Sequence, residues 1–390
     1  MNSIGRQRLS KRQFLRLSLT TLGVAAAGFV PVRSLAKNLT DMKPGLSSPE
    51  GEPGKYSKEA MNYIATPKGV KCLLCPNQCI LKDGQSGLCK SHVAYGEKLY
   101  SIAYGNPCSV HIDPIEKKPL FHFLPSAESF SIASAGCTLA CLNCQNWEIS
   151  QVSPKTTKNI ELFPEQVVEE AAANRCKTIA YTYSEPLSFY EYTYDTSKLA
   201  RARGIKNLLI SNGYINEKPL RELVKYIDAA NINLKSFSEE IYARLNGGSL
   251  EPILRTLKII REAGVWLEIT NLIVPNWTDK MDMIKEMCEW LVANGFSDTP
   301  LHFSRFFPLY KLTSIPYTPL QTLEQAYAIA RKAGINYVYI GNVPGTDYEN
   351  TYCPKCKKMV VERRGFTVIS NRLKDGSCSF CSQKIAGVWR

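Results

Sequence analysis

The sequence predicts an α/β fold: repeated strand–helix units forming an α/β barrel or open sheet of parallel strands, with a small cysteine-rich module before it and another after it. Three observations predict this. Short β-rich runs alternate with helical stretches from about residue 127 to 342. The helical stretches end on glycine, at Arg203-Gly204, Ala263-Gly264, Asn294-Gly295 and Ala333-Gly334, where a C-cap favours that residue. The 14 cysteines fall mostly in tight local groups. Disulfide scaffolds are usually small secreted domains, so local groups in a long chain fit metal binding better.

Composition bounds the rest. With 390 residues, 44% of them hydrophobic, the chain has ample core. Its net charge of +13 comes from 48 basic and 35 acidic side chains. Arg6, Arg8, Lys11, Arg12, Arg16 and Arg33 sit in residues 1–36, which contain no acid; the remainder carries +7. That excess is mild and does not imply nucleic acid.

Taken in order, residues 1–36 read as a targeting segment: a basic start, then a modest apolar run from Leu17 to Val32, then Ser34-Leu35-Ala36 as a cleavage site. The pattern resembles a twin-arginine export signal with Lys11 in the first arginine position. The apolar run is short for a spanning helix. Residues 37–66 are expected to be a flexible linker, because 43–54 is rich in Pro, Gly and Ser. Residues 67–126 form a four-cysteine module: Cys72, Cys75, Cys79 and Cys89 lie within one short span, with Pro76, Gly84 and Gly87 supplying turns. Four thiolates this close suit one tetrahedral metal or an iron–sulfur cluster, and spacing does not choose between them. Cys108 reads as a small buried hydrophobe.

Residues 127–345 are the barrel. Strands are expected at 129–134, 177–183, 206–211, 229–235, 265–274 and 300–306, with another at 337–341. Helices are expected at 164–175, 189–203, 217–226, 250–263, 279–293 and 323–333. Parallel βα units put functional groups just after the C-terminal ends of strands. Polar residues stand there: Tyr183-Ser184-Glu185-Pro186, Ser211-Asn212-Gly213, Asn233-Leu234-Lys235, Asn271, and His302 with Arg305. Residues 346–390 form a zinc-ribbon-like module, with Cys353, Cys356, Cys378 and Cys381 in two C-x2-C pairs around a hairpin at 360–368. A further iron–sulfur cluster is the alternative there.

The stretch that organises the chain is Gly136-Cys137-Thr138-Leu139-Ala140-Cys141-Leu142-Asn143-Cys144. Three thiolates spaced C-x3-C-x2-C can hold three irons of a [4Fe–4S] cube, which ordinarily takes four cysteines, and leave one iron free. A zinc loop is the plainer reading, but zinc sites favour C-x2-C pairs with a fourth ligand close by. Placed after a first strand, the spacing resembles the radical S-adenosylmethionine (SAM) superfamily, whose partial (βα)6 TIM-like barrel matches the fold just read. Residues 72–89, 113–120, 136–147, 182–186, 231–237 and 302–310 closely resemble the radical SAM enzymes of the AmmeMemoRadiSam system, a branch similar to pyruvate formate-lyase activating enzyme.

The resemblance implies a [4Fe–4S] cluster on Cys137, Cys141 and Cys144 with SAM chelating the open iron. It implies reductive cleavage of SAM to a 5′-deoxyadenosyl radical that abstracts hydrogen, as in a glycyl-radical activase acting on a protein. It also implies a flavodoxin- or ferredoxin-like electron donor. Glu185 suits the SAM ammonium and Lys235 its carboxylate. Asn212 and Asn233 suit ribose or carboxylate. His302 is a base, a SAM contact or a satisfied core histidine. Gln145, Asn146 and Trp147 are expected to pack over the cluster loop. The sequence departs from relatives at Asn143, where an aromatic is frequent, and at Asn233, where activating enzymes have Asp. No nucleic-acid partner is expected, and membrane contact only through residues 1–36. That leader suggests export or membrane attachment, whereas SAM supply favours the cytoplasm. The competing class is a non-enzymatic zinc-binding adaptor that binds nucleic acid.

Overall fold

The computed structural model describes residues 52–390. The leader at 1–36 and residues 37–51 of the expected linker lie outside the described residues. Residues 52–66 are not a linker. They contain β1 (Lys58–Glu59) and β2 (Tyr63–Thr66). Ahead of β1, Tyr56 is buried, bonds Glu161 through its hydroxyl at 2.7 Å and stacks on Phe163. The aromatic residues here outweigh the Pro- and Gly-rich stretch before them.

The N-terminal module is two small antiparallel sheets. One joins β2, β3 (Gly69–Cys72) and β4 (Ile80–Leu81). The other joins β1, β6 (Lys98–Ser101) and β5 (His92–Tyr95). Beyond them lies an eight-stranded sheet. Its first strand, β7 (Ser109–Pro114), runs antiparallel to β8 (Glu128–Ala133). From β8 onward all neighbours are parallel: β9 (Thr178–Tyr181), β10 (Lys206–Ser211), β11 (Ala229–Asn233), β12 (Trp266–Ile273), β13 (Leu301–Arg305) and β14 (Val338–Gly341). The sheet ends at β14 on one side and β7 on the other, so the barrel is open between them. All seven expected strands are present within two residues of each end, and the four cap glycines take positive φ. The edge strand β7 is an addition; Pro114, which lacks a ladder donor, closes it where no donor is needed.

Helices cover the outer face because their apolar periods demand it. In the helix Glu251–Glu262, Ile253, Leu257, Ile259 and Ile260 are buried toward the sheet, while Arg255 pairs with Glu251 on the solvent side.

The segment 115–124 crosses the N-terminal end of the barrel as a floor. Ile115, Leu120 and Phe123 pack with Ala180, Leu208 and Ala229 from three consecutive strands. Pro119 O accepts from Asn231 Nδ2 at 2.8 Å. The backbone N–H groups of Phe121 and His122 donate to the buried Glu268 carboxylate at 3.0 and 2.8 Å. A segment with no ladder of its own satisfies its polar groups on the strands above it.

The C-terminal module seats on that floor. Its hairpin pairs the strands Met359–Arg364 and Thr367–Asn371. Val360, Val361, Cys353, Cys378 and Ile385 share one apolar cluster with Phe121, Tyr337 and Tyr339. Arg363 is fully buried, donating to Phe121 O at 2.6 Å and to Thr351 Oγ1 at 2.8 Å, with its guanidinium 4.4 Å from the Phe121 ring centre. Val388 exchanges backbone bonds with His122 and Leu124. Among the described residues no helix is long and apolar enough to cross a membrane.

Candidate active site

The three-cysteine loop leaves β8 at the mouth. Gly136 opens it with φ +116°, and a Cβ there would stand 2.5 Å from Cys89 O, so only glycine fits. The loop is then pinned from the far side of the barrel. Ala140 N donates to Asn246 O and Leu142 N to Leu245 O, both at 2.9 Å. Three N–H donors aim at sulfur: Leu139 N at Cys137 (3.4 Å), Asn212 Nδ2 at Cys137 (3.6 Å) and Asn246 Nδ2 at Cys141 (3.3 Å). Such donors stabilise a cluster thiolate and tune its potential. Burial, then the Glu185 carboxylate and the companion thiols, push the Cys137 thiol well above its ordinary value, so bound iron must displace a proton held there. Three thiols of one loop that act electrostatically on one another, with N–H donors aimed at two of them, suit an iron–sulfur cluster.

The loops after β9 and β10 meet at Glu185, which is buried. Its Oε1 accepts from Ser211 Oγ (2.7 Å) and Leu187 N (3.1 Å), and its Oε2 from Asn212 N (2.8 Å). Burial raises its pKa to about 7 against those donors and Lys235. Lys235, just past β11, acts electrostatically on both Glu185 and Cys144. Asn212 also donates from Nδ2 to Thr138 Oγ1 at 3.1 Å. Asn233, the last residue of β11, donates to Ser211 O at 3.1 Å. Glu185, Asn212, Asn233 and Lys235 therefore gather with the cysteine loop at the C-terminal ends of the strands.

His302 does not join them. It is the second residue of β13, near that strand's N-terminal end, buried, with Nε2 2.7 Å from Glu268 Oε2. It stacks on Tyr339 and meets Phe121 edge-on. Of its three readings the geometry matches the satisfied core histidine. Of Gln145, Asn146 and Trp147, Asn146 Nδ2 donates to Tyr183 O at 2.6 Å and Trp147 stacks on Tyr310 at 5.3 Å, beside Lys311, whose N–H donates to Leu142 O of the cysteine loop.

Two contributors were not visible in the sequence. Asn246 lies in the π-turn Tyr242–Asn246, 105 residues from the cysteine it serves; the Asn246-Gly247-Gly248 turn was the available signal. The other is the pair Lys118 and Asp113, joined at 2.5 Å inside the barrel. Tyr183, held at φ +65°, brings its hydroxyl to Asp113, and Lys118 lies over its ring. Burial draws the Lys118 amine down to about 8, with Asp113 opposing. The floor is thereby tied to the loop carrying Glu185.

The other cysteine groups differ from each other. Cys353 and Cys381 sulfurs stand 3.6 Å apart, Cys356 and Cys378 3.7 Å, and all four lie within 4.8 Å. Sulfurs on one tetrahedral zinc, with bonds of ~2.3 Å, are spaced comparably. Cys72, Cys75, Cys79 and Cys89 line a small cavity together with His92 and Thr138. Cys108 is partly buried, its thiol 3.5 Å from Ala133 O.

Comparison with known proteins agrees with this geometry. Residues 131–291 match the model of the radical SAM superfamily. Over 331 residues the chain is 45% identical to an uncharacterized protein of Methanocaldococcus jannaschii, covering 84% of this chain and 98% of that one. It is 24% identical to pyruvate formate-lyase 1-activating enzyme of Escherichia coli over 159 residues, 40% of this chain and 65% of that enzyme. Among solved structures, Streptococcus suis SuiB bound to S-adenosylmethionine aligns with a TM-score of 0.43 at 15% identity, over 58% of this chain and 53% of that one. The chain belongs to the radical SAM superfamily. It is a radical SAM enzyme with sequence similarity to an activating enzyme, and its superfamily implies a [4Fe–4S] cluster and SAM.

Proposed function

We propose that this enzyme abstracts hydrogen from a polypeptide, as a glycyl-radical activase does. When bound, the cluster and SAM supply a 5′-deoxyadenosyl radical by one-electron cleavage of the sulfonium. In this reading Cys137, Cys141 and Cys144 hold the cluster. Glu185, a carboxylate whose burial opposes its own ionisation, offers its remaining acceptor positions to the SAM ammonium. Lys235 pairs with the SAM carboxylate, and Asn212 and Asn233 fix the orientation of the loops around it. The barrel holds the reacting C–H in place and excludes water.

The observation that carries the polypeptide reading is the rim of the mouth. Stacked Trp147 and Tyr310, with Phe307, Leu309 and Tyr317, leave large apolar side chains exposed on loops next to the cysteine loop and after β13. Exposed apolar groups clustered beside a site suit an extended macromolecular partner. The similarity to pyruvate formate-lyase activating enzyme supports the same reading. A flavodoxin- or ferredoxin-like protein supplies the electron. The C-terminal cysteines hold zinc, whose part is to fix the module under the floor.

The test is anaerobic. Reduced protein should convert SAM to 5′-deoxyadenosine and methionine, and Cys137→Ala should abolish this. The protein fraction of an anaerobic extract should stimulate turnover, while its small-molecule fraction should not. Stimulation by the small-molecule fraction alone would overturn the polypeptide reading.

A further inference from the structure

The four-cysteine module at the N-terminus abuts the catalytic loop. Thr138, next to Cys137, is part of the wall of the cavity that Cys72, Cys75, Cys79, Cys89 and His92 line. Asn77, between Cys75 and Cys79, donates from Nδ2 to Thr138 O at 2.8 Å. Gly136, preceding Cys137, sits so close to Cys89 O that no side chain fits between. The two thiol loops thus touch backbone to backbone.

A second observation concerns what surrounds the sulfurs. His92 and Glu191 are both almost fully buried, with Nε2 3.1 Å from Oε2, and the other ring nitrogen, Nδ1, stands 3.5 Å from Cys89 Sγ. A carboxylate that fixes an imidazole, which then addresses a ligand atom, is an outer-shell arrangement of metal sites. Glu191 also accepts from Met61 N at 3.0 Å, so its position is set independently of His92. Burying such a pair is costly unless each member is satisfied. Here the last member of the chain is a sulfur.

Third, the thiols differ in arrangement from the C-terminal four. That set converges to within 4.8 Å, as one ion requires. Among the described residues the N-terminal set is not so converged: its sulfurs are spread around the cavity, with those of Cys79 and Cys89 both beside Gly87. A cluster places each thiolate on a separate iron and so holds its ligands farther apart than a single ion does.

We propose that Cys72, Cys75, Cys79 and Cys89 bind a second iron–sulfur cluster, with His92 hydrogen-bonded to the Cys89 sulfur, and that this cluster relays electrons to the one on Cys137, Cys141 and Cys144. The step moves one electron. A one-electron carrier protein is oxidised, the N-terminal cluster is reduced and then reoxidised, and the SAM-site cluster is reduced; no atom or proton is transferred. The relay rests on the reading of the Cys137 loop as a cluster site, whereas metal binding by the module does not.

The full chain carrying Cys137→Ala, Cys141→Ala and Cys144→Ala, reconstituted anaerobically with iron and sulfide, tests the metal. It should retain about four irons and four sulfides per chain, with a reduced-cluster signal in electron paramagnetic resonance. Zinc in the module with no iron bound would overturn the proposal. In that triple variant, His92→Phe, which keeps a ring but carries no hydrogen-bonding group, should move the reduction potential to more negative values; an unchanged potential would remove His92 from the site. The relay is tested with Cys72→Ser/Cys89→Ser in the otherwise intact chain. Reduction of the remaining cluster by flavodoxin should slow at least ~10-fold while dithionite still reduces it. An unchanged flavodoxin rate would overturn the relay. Loss of all iron from this variant would instead show that the Cys137 loop holds no cluster, and the relay would fall with that reading.

Discussion

At the residue scale, the site depends on donors aimed at sulfur and on one buried carboxylate. Asn246→Ala removes the side-chain N–H from Cys141 while its backbone still holds Ala140. We expect iron content to be unchanged and the cluster's potential to fall, read by a redox titration in electron paramagnetic resonance. Glu185→Gln keeps the shape and a carbonyl acceptor but removes the charge. SAM affinity should weaken ~10-fold, or ~1.4 kcal/mol, by equilibrium binding to the reconstituted protein. An unchanged affinity would leave Glu185 with the purely local task of joining the β9 and β10 loops. These residues were unequally legible in the sequence. Cys137, Cys141, Cys144, Glu185, Asn212 and Lys235 stood at strand ends, where the βα pattern points. His302 stood on a strand too, but near its start, at the end away from the mouth, a height the expected limits 300–306 already carried. Asn246 was out of reach because its role comes from a tertiary contact.

At the scale of elements, the strands and helices were legible because each carries its own period and its own cap. The floor at 115–124 was not, because an irregular segment takes its conformation from what lies above it. Its buried ion pair makes the floor testable. Lys118→Met leaves Asp113 with only the half-exposed Lys117 ammonium, 2.8 Å from Oδ1, as its cation, and should cost ~1–3 kcal/mol of unfolding free energy. Adding Asp113→Asn should restore part of that loss, since the charge that Lys117 alone must offset is gone. Denaturant titrations of the two variants under anaerobic conditions decide this, and a double variant no more stable than the single one would mean that the pair matters through packing. The edge strand β7 was missed for a related reason. It lies at the sheet's border, carries His111 and Asp113 and ends in Pro114, so it lacks the apolar density of a central parallel strand.

At the scale of the whole molecule, the C-terminal module and the barrel are joined through His122. Its Nδ1 meets Ala386 O at 2.6 Å and its Nε2 meets the Tyr339 hydroxyl, which in turn bonds Thr351 at 2.8 Å. Burial, aided by Arg363, draws His122 down to about 4, against Glu268 and Ala386. An unfolded histidine titrates near ~6.5, so the unfolded chain takes up the proton first as pH falls. Stability from this group is intact above about pH 6.5 and is lost progressively toward pH 4, by up to ~3 kcal/mol. His122→Asn should be less stable at neutral pH yet show a flatter acid limb in thermal unfolding followed against pH. On the proposed zinc reading, chelation at Cys353, Cys356, Cys378 and Cys381 should loosen the same joint, seen as faster proteolysis after residue 346 with the barrel left intact.

The sealed base has a consequence for traffic. With residues 115–124 spanning the strands' lower ends and the C-terminal module beneath them, the barrel is a cul-de-sac rather than a tunnel. Whatever enters past the cysteine loop must leave by the same doorway or through the seam between β14 and β7. On the proposed polypeptide reading, spent methionine and 5′-deoxyadenosine queue behind a substrate still seated on the rim, and turnover should slow when that polypeptide is in excess.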